Sequence, residues 1–188
     1  MDSYSEKDRE FLINLARMTI QSKNKEGIIL DSEAQSINSS LKEKRGAFVT
    51  LNKNGNLRGC IGYILPMLPL YQTVIENSYN AAFKDPRFAP VTMEELKDIK
   101  IEISILTLPK KVQYNGGDDL LAKLNPNKDG VIIKKGFYSA TFLPQVWEQL
   151  PKREDFLSHL CAKAGLEPNQ WQKGDLDVEV YNAIILEE

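Results

Sequence analysis

The chain has 188 residues, with 42% hydrophobic and 27% charged side chains and a formal net charge of −2 from 24 basic and 26 acidic groups. These are the figures of an ordinary globular protein of one domain or two lobes. A chain of this length buries about 70% of its unfolded surface and needs no metal or disulfide for stability. The charge balance argues against a general nucleic-acid binder, which needs a clear basic excess.

Cysteine and histidine are scarce, since Cys60, Cys161 and His159 are the only ones in the sequence. Without a CxxC pair or a second histidine, we expect no metal site. The charged N-terminus "MDSYSEKDRE" does not resemble a signal peptide, and no apolar run approaches membrane-spanning length. We therefore expect a cytoplasmic protein with free thiols and no membrane contact; a single disulfide is the alternative. The GxxxxGK[ST], GxGxxG, HExxH and GxSxG motifs are all missing, and no cofactor is expected.

The first third of the chain predicts a helix, a long connection and a β-hairpin. Residues 5 to 22 have apolar positions at helical spacing, and Ser5 with Asp8 resembles a capping box. Residues 23 to 45 are polar, and we expect a connection that contains one helical turn. The runs "GAFVTL" (46–51) and "LRGCIGYI" (57–64) flank "NKNGN", whose Asn-Gly dipeptide predicts a tight hairpin turn.

The middle of the chain predicts a helix, a rigid turn and a strand. "PLYQTVIENSYNAAF" (69–83) reads as a helix that must end before "DPRFAP", because Pro86 disfavours helical geometry at the residue before it. Thr92 and Glu95 form a capping-box pattern for a short helix over 93 to 97. "IKIEISIL" (99–106) alternates apolar and polar residues, which predicts a strand with one buried face; Lys100 and Glu102 belong to its solvated face.

The last third predicts two short helices, a hairpin and a final strand. Asp118 is the expected cap of a helix over "DLLAKL", and "GVIIKKGFYSATFL" (130–143) reads as a hairpin turning at "KKG". Pro151 precedes a helix over "REDFLSHLCAKAG" that Gly165 ends, and "DLDVEVYNAIIL" (175–186) predicts one strand. Hairpins mixed with helices indicate an α+β fold on antiparallel sheet with flanking helices. No linker divides the chain, so we expect a single domain over 1–188.

The hairpin strand "LRGCIGYI" carries the first candidate site. Strand alternation places Arg58 and Cys60 on one face, together with Gly62, and Leu57 with Gly59 on the other. A guanidinium beside a thiol favours the nucleophilic thiolate, and glycines in a strand often mark close approach of a ligand or backbone. The alternative is that Cys60 packs as a small hydrophobe and the glycines admit a helix.

Two other groups complete the candidates. His159 could pair with Cys60 as a general base only if the fold brings them together; it projects about 200° from Cys161 on the same helix, so those two are no dyad. The alternative is an ordinary surface histidine. In "KDPRFAP", Asp85, Arg87 and Phe88 either face a ligand or form a helix-ending turn with local charge pairing.

The chain resembles the AMMECR-type domain family, whose prokaryotic members include the AmmeMemoRadiSam system protein A group. The resemblance runs from "GAFVTL" at 46 to "VEVY" at 178–181 and includes "GNLRGCIGYI", "NAAFKDPRFAPVTMEEL", "ATFLPQVWEQLP" and "FLSHLCAKAGL". It implies an α+β architecture of two unequal, interlocked lobes. It also implies a site at the positions that match the family motifs: Arg58, Gly59, Cys60, Gly62, Asp85, Pro86, Arg87 and Phe88.

Two functions are compatible with these residues. In the first, the chain is an enzyme or a substrate-handling component with Cys60 as its reactive thiol. Arg58 would favour the thiolate and bind an anionic group, Asp85 with Arg87 would orient a ligand, and Gly59, Gly62, Arg87 and Phe88 would be the ligand contacts. The resemblance implies Memo-like and radical-SAM partners. In the second, it is a regulatory or protein-binding module that docks a partner through this surface and Trp147. The ligand is an unknown small molecule or protein, nucleic acid is not expected, and the sequence names no substrate or oligomeric state.

Overall fold

The chain folds into an α+β structure built on two four-stranded sheets, as the sequence predicted. The structure is a computed structural model that describes residues 4–24 and 36–188. The part of the predicted polar connection that falls on 25–35 therefore lies outside the described residues. The chain divides into two compact units, one formed by the residues up to Thr107 together with Ile184–Glu188, and the other by Leu108–Ala183. The expectation of a single domain stays a prediction.

The first unit contains three helices and the strands of the first sheet, within the residues described. The helices are α1 (Glu6–Ser22), α2 (Ser39–Lys42) and α3 (Leu70–Phe83), and a 3-10 turn follows at Glu95–Asp98. The strands are β1 (Ala47–Lys53), β2 (Asn56–Tyr63), β3 (Ile99–Leu106) and, from the end of the chain, β8 (Ala183–Glu187). Their order in the sheet is β2-β1-β3-β8, so β2 is an edge strand.

The predicted hairpin is confirmed, and it contains a bulge that the sequence did not predict. Asn54 and Gly55 both adopt positive φ, at 53° and 78°, which is the geometry of a tight hairpin turn. Along β2, Gly59 pairs with Leu51 while Leu57 pairs with Asn52, so Arg58 is one extra residue in the ladder. The strict alternation expected over 57–59 is therefore wrong, because a bulge redirects the side chain at the inserted position.

Helices and sheet of the first unit share one apolar core. The side chains of α1 and α3 bury Leu12, Ile20 and Val74 against the inward residues of β1 and β3. The predicted capping box at the start of α1 is present: the Ser5 hydroxyl accepts the Asp8 N–H at 3.2 Å, and the Asp8 carboxylate accepts the Ser5 N–H at 3.1 Å.

The second unit has its own sheet and its own core. Its elements are β4 (Lys110–Lys111), α4 (Gly117–Lys123), β5 (Gly130–Lys135), β6 (Tyr138–Phe142), a 3-10 turn (Pro144–Glu148), α5 (Arg153–Lys163), a 3-10 turn (Gln170–Lys173) and β7 (Asp177–Tyr181). The strand order is β4-β7-β5-β6, with antiparallel pairings. The predicted hairpin and the helix that ends at Gly165 (φ +80°) are confirmed.

Three expectations are corrected in this part of the chain. Trp147 is fully buried, stacks on Phe156 with 3.7 Å between ring centroids, and donates its indole N–H to the Asp129 carbonyl at 2.7 Å, so it cannot anchor a partner. Asp118 does not cap α4, whose N-cap is Gly116 without a side-chain bond. The final strand is interrupted at Asn182, and its two halves, β7 and β8, belong to different sheets.

Candidate functional site

The candidate site is centred on Cys60, at the outer edge of β2. Because β2 borders the sheet, the backbone groups of Cys60 that point away from β1 find no strand to pair with. Asp85 and Arg87 take that place. The Asp85 carboxylate accepts the Cys60 N–H at 2.9 Å, and Arg87 Nη2 donates to the Cys60 carbonyl at 3.1 Å. The predicted "DPRF" turn therefore seals the sheet edge where Cys60 sits.

Local sequence explains why the turn has this form. Helix α3 ends at Phe83, where Pro86 prevents its continuation, and the Phe88 N–H donates to the Asp85 carbonyl at 3.2 Å to close the turn. Asp85 Oδ1 accepts the backbone N–H of Arg87 at 3.1 Å, a bond typical of Asp at turns. The turn thus fixes the Asp85 carboxylate before any contact with β2 is made.

Asp85 and Arg87 form a close ion pair. The carboxylate is 1% exposed and accepts Arg87 Nε at 2.9 Å and Nη2 at 2.7 Å. These bonds from Arg87 hold the pKa of Asp85 well below its usual range; burial opposes the shift, and the Cys60 N–H adds to it. The same hydrogen bonds, which Arg87 donates to Asp85, raise the pKa of Arg87. Asp85 is therefore an ionised group with its oxygens in use, which suits positioning rather than proton transfer.

Arg58 lies next to this turn and forms an ion pair with a second carboxylate, that of Glu95. Its Nε and Nη2 donate to the two oxygens of Glu95 at 2.8 and 3.0 Å, and Nη2 also donates to the Ala89 carbonyl at 2.8 Å. The side chain is only 14% exposed. Arg58 therefore ties the bulge of β2 to the segment that follows the "DPRF" turn, and its expected action on the Cys60 thiol stays a prediction.

Glu95 is the site residue that sequence reasoning missed. The Thr92 hydroxyl accepts the Glu95 N–H at 3.2 Å, as the capping pattern predicted, but the Glu95 carboxylate turns to Arg58 and also accepts Lys53 Nζ at 3.1 Å. The hydrogen bonds from Arg58 lower the pKa of Glu95 to about 2, against the effect of burial, and Lys53 contributes further lowering. In the sequence, Glu95 stood out only as the acidic residue of a capping pattern, and nothing nearby indicated that its carboxylate would bind Arg58.

Phe88 joins the two arginines. The guanidinium carbons of Arg58 and Arg87 lie 5.7 and 5.4 Å from the centre of its ring, within cation–π range. The ring is half-buried. The structure thus brings together Arg58, Cys60, Asp85, Arg87 and Phe88 in the first unit, and all five were predicted as site residues.

The thiols of the two cysteines differ in access. Cys60 is partly exposed, and its sulfur accepts the Thr50 hydroxyl at 3.4 Å. Cys161 is buried in the core of the second unit, and burial raises the pKa of its thiol. Both cysteines are free, so the expectation of free thiols is confirmed.

The glycines on either side of Cys60 are explained by close backbone packing. A Cβ on Gly59 would lie 2.3 Å from the Ala81 carbonyl oxygen of α3. A Cβ on Gly62 would lie 2.4 Å from the Ala47 oxygen and equally close to the Phe48 ring. These contacts account for both glycines without a ligand, and their ligand-binding role stays a prediction.

His159 lies on α5 in the second unit, whereas Cys60 lies in the first. The imidazole is exposed, and its Nδ1 is 2.8 Å from the Asp155 carbonyl oxygen. A Cys60–His159 dyad stays a prediction. Within residues 4–24 and 36–188, no three His, Cys, Asp or Glu side chains converge in a way that could hold a metal ion. Nor does any helix in those ranges combine the length and apolarity needed to cross a bilayer.

Comparison with known proteins places the chain among archaeal relatives. The AMMECR1 family model matches residues 13–186. A protein of Methanopyrus kandleri is 38% identical over 187 residues, which cover 95% of this chain and 87% of that protein. A protein of Methanocaldococcus jannaschii is 41% identical over 168 residues, covering 86% and 80%. The crystal structure of an uncharacterized protein from Pyrococcus horikoshii has 37% sequence identity and a TM-score of 0.76, with 95% of this chain and 90% of that chain covered. With most of its length matched by the family model, this chain belongs to the AMMECR1 family.

Proposed function

We propose that this chain is an enzyme or a substrate-handling component whose reactive group is the Cys60 thiol. The observation that supports this best is that Cys60 combines partial exposure with a backbone held on both sides by charged groups. The residue is partly exposed, and its N–H and C=O bind Asp85 and Arg87. A thiol that acts on a ligand needs both access and a fixed position.

The neighbouring residues take different roles in this proposal. Asp85 is a positioning residue, because it is 1% exposed and its oxygens bind Cys60 and Arg87. The proposal assigns to Arg58 and Phe88 the wall beside the thiol; the two side chains lie within cation–π range of each other, and Arg58 is held by Glu95. Catalysis by Asp85 as an acid is not part of the proposal, since its pKa lies well below the usual range.

The test is alkylation of the folded protein by iodoacetamide, with Cys161 as an internal control. We expect Cys60 to react faster than N-acetylcysteine at the same pH and Cys161 to be spared, because Cys161 is buried. Peptide mapping assigns each label, and Cys60→Ser should remove the fast phase while Cys161→Ser leaves it. A Cys60 that reacts more slowly than the free thiol in the folded protein overturns the proposal.

The family resemblance adds a proposal about partners. We infer that the chain works with a Memo-like protein and a radical-SAM protein, and that these partners meet the surface around Cys60. Gel filtration of a mixture of the three purified proteins tests this inference, and we expect them to elute together. Binding should weaken when Arg87, which is half-exposed beside Cys60, is changed to Glu. Three proteins that elute separately at micromolar concentration would contradict it.

An exposed aromatic side chain favours a protein-binding module as the second candidate function. Phe137 is fully exposed at the tip of the β5–β6 hairpin, next to the half-exposed Tyr138. Exposed aromatic residues are frequent anchors in interfaces. If Cys60 is inert and Phe137→Ser abolishes binding of a purified partner, this second function replaces the first.

A further inference from the structure

The two arginines of the site differ in what they can offer a ligand. Arg58 is 14% exposed, and two of its nitrogens are bound to Glu95. The third, Nη1, is buried without a hydrogen-bond partner, so solvent and ligand do not reach it. Arg87, in contrast, is 52% exposed. The arginine that the sequence suggested for anion binding is therefore the less accessible of the two.

Arg87 is also held in one orientation. Asp85 binds its Nε and Nη2, the Cys60 carbonyl binds Nη2, and the Phe88 ring lies beneath the guanidinium. Nη1 has no acceptor among the residues that the structure describes, and the side chain that carries it faces solvent. A guanidinium fixed on one side and open on the other loses little conformational entropy when it binds a carboxylate or a phosphate.

Arg87 is the most exposed cation of the site. Its side chain is 52% exposed, against 34% for Lys53 and 14% for Arg58. Asp85 pairs with Arg87, whereas the single carboxylate of Glu95 pairs with both Lys53 and Arg58, so the one positive charge in excess belongs to this second group. The second group is a neighbour of Arg87, because the guanidinium groups of Arg58 and Arg87 both lie within cation–π range of the Phe88 ring. An anion that reaches Arg87 therefore meets more positive than negative charge, one hydrogen bond away from the backbone of Cys60.

We propose that Arg87 binds an anionic group, a carboxylate or a phosphate, of the ligand that is handled at Cys60. This inference rests on the proposed function, because it names the class of ligand for the same site. It assigns to Arg87 the anion contact that the sequence suggested for Arg58. It leaves Arg58 as a positioning residue that holds the bulge of β2 through Glu95.

The experiment compares two alkylating reagents of the same shape, the anion iodoacetate and the neutral iodoacetamide. In each, the thiolate displaces iodide, so the ratio of their rates reports on the charge that the reagent meets. Relative to N-acetylcysteine amide, a model thiol without a carboxylate, we expect the iodoacetate-to-iodoacetamide ratio at Cys60 to rise about three- to fivefold, the range of a partly exposed ion pair. Addition of 0.5 M NaCl should remove most of the rise.

Variants separate Arg87 from the general charge of the surface. Arg87→Gln should return the ratio to that of the model thiol, whereas Arg87→Lys should keep part of the rise. Lys84→Gln is the matched control, because it removes one exposed cation from the neighbouring helix end. If Lys84→Gln lowers the ratio as much as Arg87→Gln does, the inference is overturned.

Competition between iodoacetate and a second anion can be measured in the wild-type protein, and it distinguishes a phosphate ligand from a carboxylate ligand. Inorganic phosphate or acetate is added at constant ionic strength, and the iodoacetate reaction of Cys60 is followed. Slowing by phosphate alone assigns a phosphate ligand, and slowing by acetate assigns a carboxylate. An unchanged rate with both anions, or a ratio equal to that of N-acetylcysteine amide, overturns the inference. If Cys60 still reacts readily with iodoacetamide when these tests fail, the anion-binding inference is wrong but the proposed function stands. If Cys60 reacts with neither iodoacetamide nor iodoacetate, both the inference and the proposed function are wrong.

Discussion

Replacing Asp85 with alanine tests whether the charge pair that seals the β2 edge contributes to stability. The carboxylate is 1% exposed and accepts four N–H groups, one from Cys60 and three from Arg87. Loss of one partner of a buried ion pair costs about 3–5 kcal/mol. Because Arg87 is 52% exposed and can regain water, we expect a smaller loss of unfolding free energy, about 2–3 kcal/mol.

The assay is urea unfolding of the wild type, Asp85→Ala and the matched control Asp98→Ala. Asp98 is exposed in the same unit, and its replacement should change the unfolding free energy by less than about 0.5 kcal/mol. The midpoint should fall for Asp85→Ala with little change in the urea dependence, since the surface exposed on unfolding stays the same. Equal stabilities of the two variants would refute the structural role of the carboxylate.

The pH dependence gives a second check on the same variant. The pKa of Asp85 is depressed in the folded protein, whereas the pKa of an aspartate in an unfolded chain is about 3.9. The stabilisation is therefore fully present above that value and is lost as the pH falls through the folded pKa. The difference between wild type and Asp85→Ala should be constant from about pH 7 to pH 5 and shrink below about pH 4. A difference that persists unchanged at about pH 3 would show that packing, not charge, is its cause.

Three further expectations concern single positions. Glu95→Gln should lower the unfolding free energy by about 2 kcal/mol at neutral pH by weakening the Arg58 pair, and urea titrations should show this loss shrinking between pH 4.5 and pH 2, because over that range the unfolded chain takes up a proton more readily than the native carboxylate does. Gly59→Ala places a Cβ 2.3 Å from the Ala81 oxygen and should cost about 1–3 kcal/mol in the same assay, whereas a neutral effect would show that α3 can shift. Phe137→Ser should leave the melting temperature unchanged, because the ring is fully exposed; a clear drop would mean that the ring packs in solution.

Short-range patterns predicted the elements of this fold well, because their causes lie within a few residues. The Ser5–Asp8 cap and the Asn54–Gly55 turn each depend on backbone geometry over two to four positions, and both are present. The alternation in "IKIEISIL" predicted the strand itself, but one solvated face is found only at Lys100 and, in part, at Glu102, because Ser104 and Leu106 on that face are buried. Such features need no knowledge of what the rest of the chain does.

The sequence named residues that lie close together in the fold, but it did not predict the hydrogen bonds that connect them. Glu95 binds Arg58 across 37 positions, and no local pattern distinguishes a carboxylate that caps its own turn from one that crosses to another strand. The extra residue at Arg58 arises from the register of β1 against β2, which depends on the pairing of whole strands. Cys60 was predicted as either a packed or a reactive residue, and only its exposure in the fold distinguishes its environment from that of Cys161.

The position of β8 has a consequence for how the protein is made. This strand completes the first sheet, yet the whole second unit separates it in sequence from the strand beside it, β3. Because the chain is synthesised from its N-terminus, the edge of β3 that pairs with β8 stays unpaired while residues 108–183 are synthesised. The second unit is continuous and can finish folding during that interval. A chain that stops before Ile184 would keep a long apolar strand open at the sheet edge, where it would pair with other chains and aggregate.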